Sequence, residues 1–356
     1  PALPFRPSCP QRPVDAKDMK RVLIIKPSAL GDVIQATCML PVIKSHDPDI
    51  RISWLVFEHN KEVVVDHPLL DRVLTLDRHG RVLEVWTRAR RQMRRMDFDT
   101  VIDVQGLLRS ALLSFLSGCK RRVGFANGRE LSTLFYTETY DIPTRSMHAV
   151  DGYLRLCEAL GMRRPEEVRF PLPIQERHRQ RIDALLSENE RGDEPLVTLC
   201  PTAGWRSKCW PETSFAALAD LLVEERDARV FLVGGPGEKE AVARVAEGMR
   251  RPHVDLSGKL SLLEVAALLE RSDLFVGNDS GLMHMAAATR TPCVAIFGPT
   301  DPHRTGPYSP LAKTIQTDLE CEPCFRRHCR QMTCMKDITP ETVSQACLDQ
   351  LRAQEG

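Results

Sequence analysis

Aliphatic runs of four to six residues alternate with amphipathic stretches along most of the chain. RVLIIK (21–26), ISWLVF (52–57), RVLTL (72–76) and TVIDVQ (100–105) have the unbroken apolar, β-branched character of strands buried on both faces. RRVGF and TYDIP are shorter extended pieces. GDVIQATCMLPVIKSH (31–46) reads as one amphipathic helix. QGLLRSALLSFLSG and HAVDGYLRLCEALG read as helices, each closed by a glycine. The polar segment IQERHRQRIDALLSENERGDE predicts a helix ending in a linker. The pattern then restarts with five strand candidates: PLVTLCP, ARVFLVGG, HVDLSG, DLFVGND and PCVAIFGP. FAALADLLVEE, EKEAVARVAEG, SLLEVAALLERS and LMHMAAATR are helical stretches between them.

Such alternation implies parallel sheets with helices on both faces. Two units in tandem imply an α/β chain of two doubly wound domains facing a central cleft, residues 19–185 and 186–340. A final helix, 341–356, is expected to pack back toward the first domain. Residues 1–18, rich in proline and without an apolar core, are expected to be a disordered tail and not a signal peptide. In doubly wound sheets ligands sit beyond the carboxyl ends of the strands, so the turns there hold the chemistry.

Composition narrows the function little. With 356 residues, 42% hydrophobic and 27% charged, the chain can build two cores. A net charge of +1 argues against a nucleic-acid partner. No apolar run is long enough for a membrane span. Eight of the twelve cysteines are scattered singly, as expected of reduced thiols.

The first strand runs into KPSALGDVIQ. A dinucleotide turn would carry three glycines here; this one has Gly31 alone, followed by Asp32, whose charge would repel a pyrophosphate. In the second half, CPTAGWRSKCWPE offers the small Thr202, Ala203 and Gly204 for close backbone approach, then Lys208 beside a helix start. VGGPGEKE presents Glu238 to ribose hydroxyls, with Glu240 as the alternative, and SGKLSL presents Leu260 to a base. In GNDSGLMHMAAA, Asp279, Ser280 and Gly281 open a helix whose amides form an anion site, with Ser280 expected to cap it. His284 lies one turn on. Each has a plainer alternative: a solvated lysine, a first-turn glutamate, a core histidine.

Taken in order, KPSALGDVIQ, DVQGLLRSALL, NGRELSTLFY, MHAVDGYLRLCEALG, the KCWPE loop and GNDSGLMHMAAA followed by IFGPTDPHRTGP resemble the lipopolysaccharide heptosyltransferases of glycosyltransferase family 9, nearer the heptosyltransferase I type. The resemblance covers about residues 19 to 350. It implies a GT-B fold of two Rossmann-like domains, with acceptor on the first and ADP-heptose on the second. It implies inverting transfer of L-glycero-D-manno-heptose to the 3-deoxy-octulosonate of a lipid A-linked inner core, with no cofactor required. On this resemblance Asp32 is the catalytic base. Thr202, Ala203, Gly204, Lys208, Glu238, Leu260, Asp279, Ser280, Gly281 and His284 bind the donor. Gly31, Gln105, Arg109 and Arg129 serve the acceptor, Gly31 by clearing room for it and the arginines by meeting its carboxylate. A cytoplasmic location at the inner membrane is implied too. The open alternatives are a heptosyltransferase II type, a relative with another nucleotide sugar or acceptor, an epimerase, a binding protein, or a Rossmann oxidoreductase, which the missing glycines disfavour.

Two features stand apart. Residues 78–95 carry seven arginines and one glutamate, which suits either docking to lipid phosphates or a solvated helix face. Cys321, Cys324, Cys329 and Cys334 follow a C-x2-C-x4-C-x4-C pattern, open to structural zinc, disulfides or free thiols.

Overall fold

The computed structural model describes residues 19–78, 80–188 and 194–353; the expected tail lies outside them. The first sheet contains β1 (Arg21–Ile25), β2 (Arg51–Phe57), β3 (Arg72–Leu76), β4 (Thr100–Asp103), β5 (Arg121–Phe125) and β6 (Glu138–Tyr140). The second contains β7 (Leu196–Cys200), β8 (Arg229–Leu232), β9 (His253–Asp255), β10 (Leu274–Asn278), β11 (Cys293–Ile296) and β12 (Ala312–Ile315). Every pairing is parallel. The orders are β3-β2-β1-β4-β5-β6 and β12-β11-β10-β7-β8-β9, the same doubly wound topology twice. β12 was not anticipated: AKTI is a half-exposed edge strand with two polar positions, so it lacks the apolar run that marked the others.

The first-domain helices are α1 (Leu30–Ala36), α2 (Met39–His46), α3 (Val82–Met96), α4 (Leu108–Leu116) and α5 (Ala149–Ala159). The single helix expected over 31–46 is two. Pro41 has no N–H to give Thr37, and its ring crowds that carbonyl, so the chain breaks between α1 and α2. Alternate strand residues face opposite layers. Leu23, Ile25, Leu55 and Val101 pack with Ala89 and Met93 of α3 and Leu113 of α4. Val22, Ile24, Ile52 and Ile102 pack with α1, α2 and α5.

Six more helices follow in order: α6 (Glu176–Glu188), α7 (Glu212–Arg226), α8 (Lys239–Gly248), α9 (Leu262–Arg271), α10 (Gly281–Ala288) and α11 (Pro302–Thr305). The short α12 (Thr333–Lys336) and the final α13 (Pro340–Arg352) complete the described chain. α6 lies against α9, with ion pairs Arg179–Glu270 and Arg271–Asp183. α13 corrects an expectation. Val343, Ala346, Cys347 and Leu351 join the core beneath α7, and Trp210 donates its indole N–H to Ile338 O at 2.9 Å. Its main contacts are therefore with the second domain, because its apolar stripe completes that domain's outer layer.

Candidate active site

β1 and β4 are neighbours whose connections leave in opposite directions, and so are β7 and β10. Both crevices open at carboxyl ends of strands, and the turns after these four strands supply the site.

On the first wall, the turn from β1 to α1 is held by Trp54 Nε1 donating to Lys26 O (3.3 Å) and Asn60 Nδ2 donating to Pro27 O (3.1 Å). Asp32, in the first turn of α1, accepts the Ala29 N–H at 3.1 Å and keeps a side chain 40% exposed. Lys26 Nζ lies 3.6 Å from the same carboxylate and is almost fully buried, with Tyr153 beside it. Burial disfavours its charge, but Asp32 and Tyr153 outweigh that and raise its pKa above the usual lysine value. Sequence reading passed over Lys26 as the end of a strand. A lysine closing an otherwise apolar buried run was the available signal.

The turn after β4 is organised by Asp103. Its Oδ1 accepts the Gln105 and Gly106 amides at 2.9 and 3.2 Å, and its Oδ2 accepts the Tyr136 hydroxyl at 2.8 Å. Gly106 has φ +68°, which a side chain would strain. Gln105 Oε1 is buried without a hydrogen-bond partner. Arg129 N donates to Gly106 O at 2.8 Å, so the loop carrying Arg129 abuts the turn that precedes Arg109. Both side chains are exposed. Among the described residues neither pairs with Asp103 or Glu130.

On the second wall a cavity of about 430 Å³ is lined by Thr202, Ala203, Gly204, Glu238, Leu260, Ser280 and Gly281. Seven of the ten expected donor residues thus converge on one space. Glu238 accepts the Gly235 N–H at 2.7 Å, whereas Glu240 is exposed and outside the lining. Ser280 does not cap α10 with its side chain as expected. Its hydroxyl is buried without a hydrogen-bond partner and borders the cavity, so the α10 amides stay available to an anion. Lys208 reaches Asp279 Oδ2 at 2.6 Å and lies over the Trp205 ring. Asp279, 5% exposed, also accepts the Thr300 hydroxyl at 2.7 Å.

The two walls touch where α1 crosses α10. A Cβ on Gly31 would stand 2.2 Å from His284 Cδ2, and one on Gly281 would stand 2.8 Å from Leu30 Cδ2. Gly31 is buried against His284, so the space its missing side chain leaves admits the opposite domain's histidine. His284 is 7% exposed, and burial lowers its pKa to about 4 although Asp279 and Asp32 pull the other way. Its Nδ1 has no hydrogen-bond partner. Sequence reading also missed Glu62, which enters the cavity from the first domain and accepts the Leu263 N–H of α9 at 3.0 Å. Only the folded pairing of the domains makes Glu62 part of the second wall.

The cysteine-rich segment lies apart from this cavity. Cys321 is exposed, Cys324 and Cys329 are half-buried and Cys334 is buried, all as free thiols. Among the described residues no three ligating side chains are gathered closely enough to hold a metal.

A family model for glycosyltransferase family 9 (heptosyltransferase) matches residues 86–335. The chain is 32% identical over 326 residues to the Pseudomonas aeruginosa lipopolysaccharide heptosyltransferase 1, covering 87% of each. Its fold is similar to that of the family 9 glycosyl transferase from Veillonella parvula, with TM-score 0.84 and 25% identity over 96% of this chain and 100% of that one. It is also similar to E. coli heptosyltransferase WaaC with ADP, with TM-score 0.74 and 26% identity over 93% and 99%. Two facing doubly wound domains are the GT-B architecture of these relatives. The chain belongs to glycosyltransferase family 9, the heptosyltransferases.

Proposed function

We propose that the protein transfers L-glycero-D-manno-heptose from ADP-heptose to the 3-deoxy-octulosonate sugar of a lipid A-linked inner core, with inversion at the anomeric carbon. The observation that carries this reading is the placement of Asp32 across the closed α1–α10 contact from Lys208, Ser280 and the α10 amides.

ADP occupies the cavity of the second wall. Its base lies against Leu260, its ribose hydroxyls bond Glu238, and its phosphates meet the α10 N-terminus and Lys208. Lys208, already desolvated and held by Asp279, offers a charge to the departing diphosphate without having to be ordered first. Asp32 takes the proton of the acceptor hydroxyl as that oxygen attacks the anomeric carbon, while the bond to ADP breaks. Its exposure leaves it open to the acceptor, and Lys26 Nζ stands 3.6 Å behind it on the buried side. Arg109 and Arg129, exposed and without a carboxylate partner among the described residues, are assigned to the acceptor's anionic groups. The steps are assigned to these side chains and the α10 amides, and none to a metal or cofactor.

The test supplies ADP-heptose and competing nucleotide sugars with a lipid A precursor bearing 3-deoxy-octulosonate, following ADP release and the anomeric configuration of the product. Asp32→Asn is expected to lose about two to four orders of magnitude in turnover while binding ADP as the wild type does. Retention above a tenth of wild-type turnover would remove the base assignment.

A further inference from the structure

The cysteine-rich segment after β12 is a strap that the transfer reaction leaves unexplained, and it builds a second opening on the second domain. Phe325 N donates to Pro299 O at 2.8 Å, which fastens the strap to the turn after β11. The Arg327 guanidinium lies 4.9 Å from the centre of the Trp205 ring, which fastens it to the turn after β7. Beside that second contact is a basin of about 560 Å³. Its rim carries Arg206 from the β7 turn, His328 and Arg330 from the strap, and Lys336 from α12, all four exposed. Ser207, 2% exposed, and the half-buried Cys329 lie at its floor. No residue borders both this basin and the donor cavity.

Two observations point to an anion here. The charge on the rim has one sign: no carboxylate borders the basin, and among the described residues none pairs with Arg206, His328, Arg330 or Lys336. Cations held this close repel one another until a counter-charge joins them. The Ser207 hydroxyl, for its part, is buried without a hydrogen-bond partner. Such a group costs stability, and an oxygen-rich ligand in the basin would supply what it lacks. Cys329 registers the same field. The Met332 amide donates to its Sγ at 3.4 Å and, with the Gln331 amide, Arg326 and Lys336, holds that thiol below its usual pKa.

We propose that this basin binds a phosphate group, free or carried on a small molecule. The Arg206 and Arg330 forks and the Lys336 ammonium engage its oxygens, and the Ser207 hydroxyl donates to one of them. A dianion with oxygens on every side suits cations that arrive from two separate segments of chain. The volume is more than a lone phosphate fills and falls within the range of small-molecule sites, so an ester has room for its organic part. Arg206, Ser207 and Lys208 form one short turn. Its first two residues border the basin while Lys208 reaches Asp279 in the active site, so the two sites share that turn without sharing a ligand residue. An occupied basin would brace the turn that presents Lys208, a consequence that rests on the function proposed above although the binding itself does not.

The experiment is calorimetric titration of the full chain with inorganic phosphate and, separately, with glucose 6-phosphate, at an ionic strength held constant with chloride. Saturable binding of at least one probe is expected. Tighter binding of inorganic phosphate assigns the basin to the free ion, and tighter binding of the sugar phosphate assigns it to an ester. Arg330→Glu with Lys336→Glu is expected to weaken binding by more than tenfold, since a charge-assisted contact is worth roughly tenfold or more in affinity. Ser207→Ala is expected to weaken it severalfold without lowering the urea midpoint, because the hydroxyl has no partner within the protein to lose. Midpoints close to wild type show that these variants fold. Lys208→Met, on the other side of the shared turn, is expected to retain the binding. Absence of saturable binding with both probes, or binding that survives the Arg330 and Lys336 substitutions, would overturn the proposal. Binding lost in Lys208→Met would place the phosphate in the donor cavity and overturn it too. A chain that bound phosphate in this basin but did not bind ADP would overturn the proposed reaction and leave this inference standing.

Discussion

Replacing Lys208 with methionine would remove the charge that reaches Asp279 and lies over Trp205 while keeping most of the apolar stem. Two effects follow from its contacts, and they can be separated. The first is on ADP: a charge-assisted contact to diphosphate is worth about 1.5 to 3 kcal/mol, or roughly ten- to a hundredfold in affinity. The lower end is expected, because Lys208 gives up part of its 2.6 Å contact with Asp279 when it turns to phosphate. The second effect is on the free protein. Without the lysine, the Asp279 carboxylate keeps the Thr300 hydroxyl as a partner while its side chain is only 6% exposed. Breaking a buried pair from one side costs about 3 to 5 kcal/mol. Since Lys208 is itself 17% exposed, the loss should fall near the bottom of that range. Calorimetry with ADP and urea unfolding would read the two effects independently. Adding Asp279→Asn should restore most of the stability by removing the stranded charge, yet ADP affinity should remain low. If ADP bound Lys208→Met as tightly as wild type, the phosphates would be held by the α10 amides alone. If the double variant regained ADP affinity, the lysine would serve only to neutralise Asp279, and the phosphate-ligand reasoning would be wrong.

Gly31→Ala should destabilise by about 1 to 3 kcal/mol through overpacking against His284, and His284→Ala should recover much of that loss; urea midpoints of both variants and their combination decide it. Arg109→Ala and Arg129→Ala should each raise the acceptor KM with little change in the ADP-heptose constant, and steady-state kinetics shifting only the donor constant would contradict the anionic-acceptor reading. His284 is a base whose pKa falls from 6.5 in the open chain to about 4 on burial, so the unfolded state takes up its proton first as pH drops. Its contribution is complete above 6.5 and is lost as pH falls from there toward 4, by about 3 kcal/mol in total. Unfolding across that window should show a shallower pH slope in His284→Leu than in wild type.

Local pattern alone determined a good deal about this protein. A run such as RVLII can be read as a strand because both its faces must be apolar, and Gly118 and Gly161 could be read as helix ends because each takes a positive φ there. The turns bearing Glu238 and Ser280 could be singled out because small and polar residues follow strands at those points, and both line one cavity; the role of Asp32 came only from the resemblance. AKTI was not legible, since an edge strand covered on few sides needs no apolar run. What lay across the cleft was hidden altogether. Gly31 makes room for His284 of the other domain, and Glu62 caps α9 from the first domain. The cap expected of Ser280 is left unmade in favour of the cavity. α13 closes its own domain because complementary apolar stripes meet there. Periodicity reports how a residue relates to its chain neighbours within a few positions. These contacts join residues 200 or more positions apart, or helices whose stripes fit either domain, so only the packed tertiary structure could decide them.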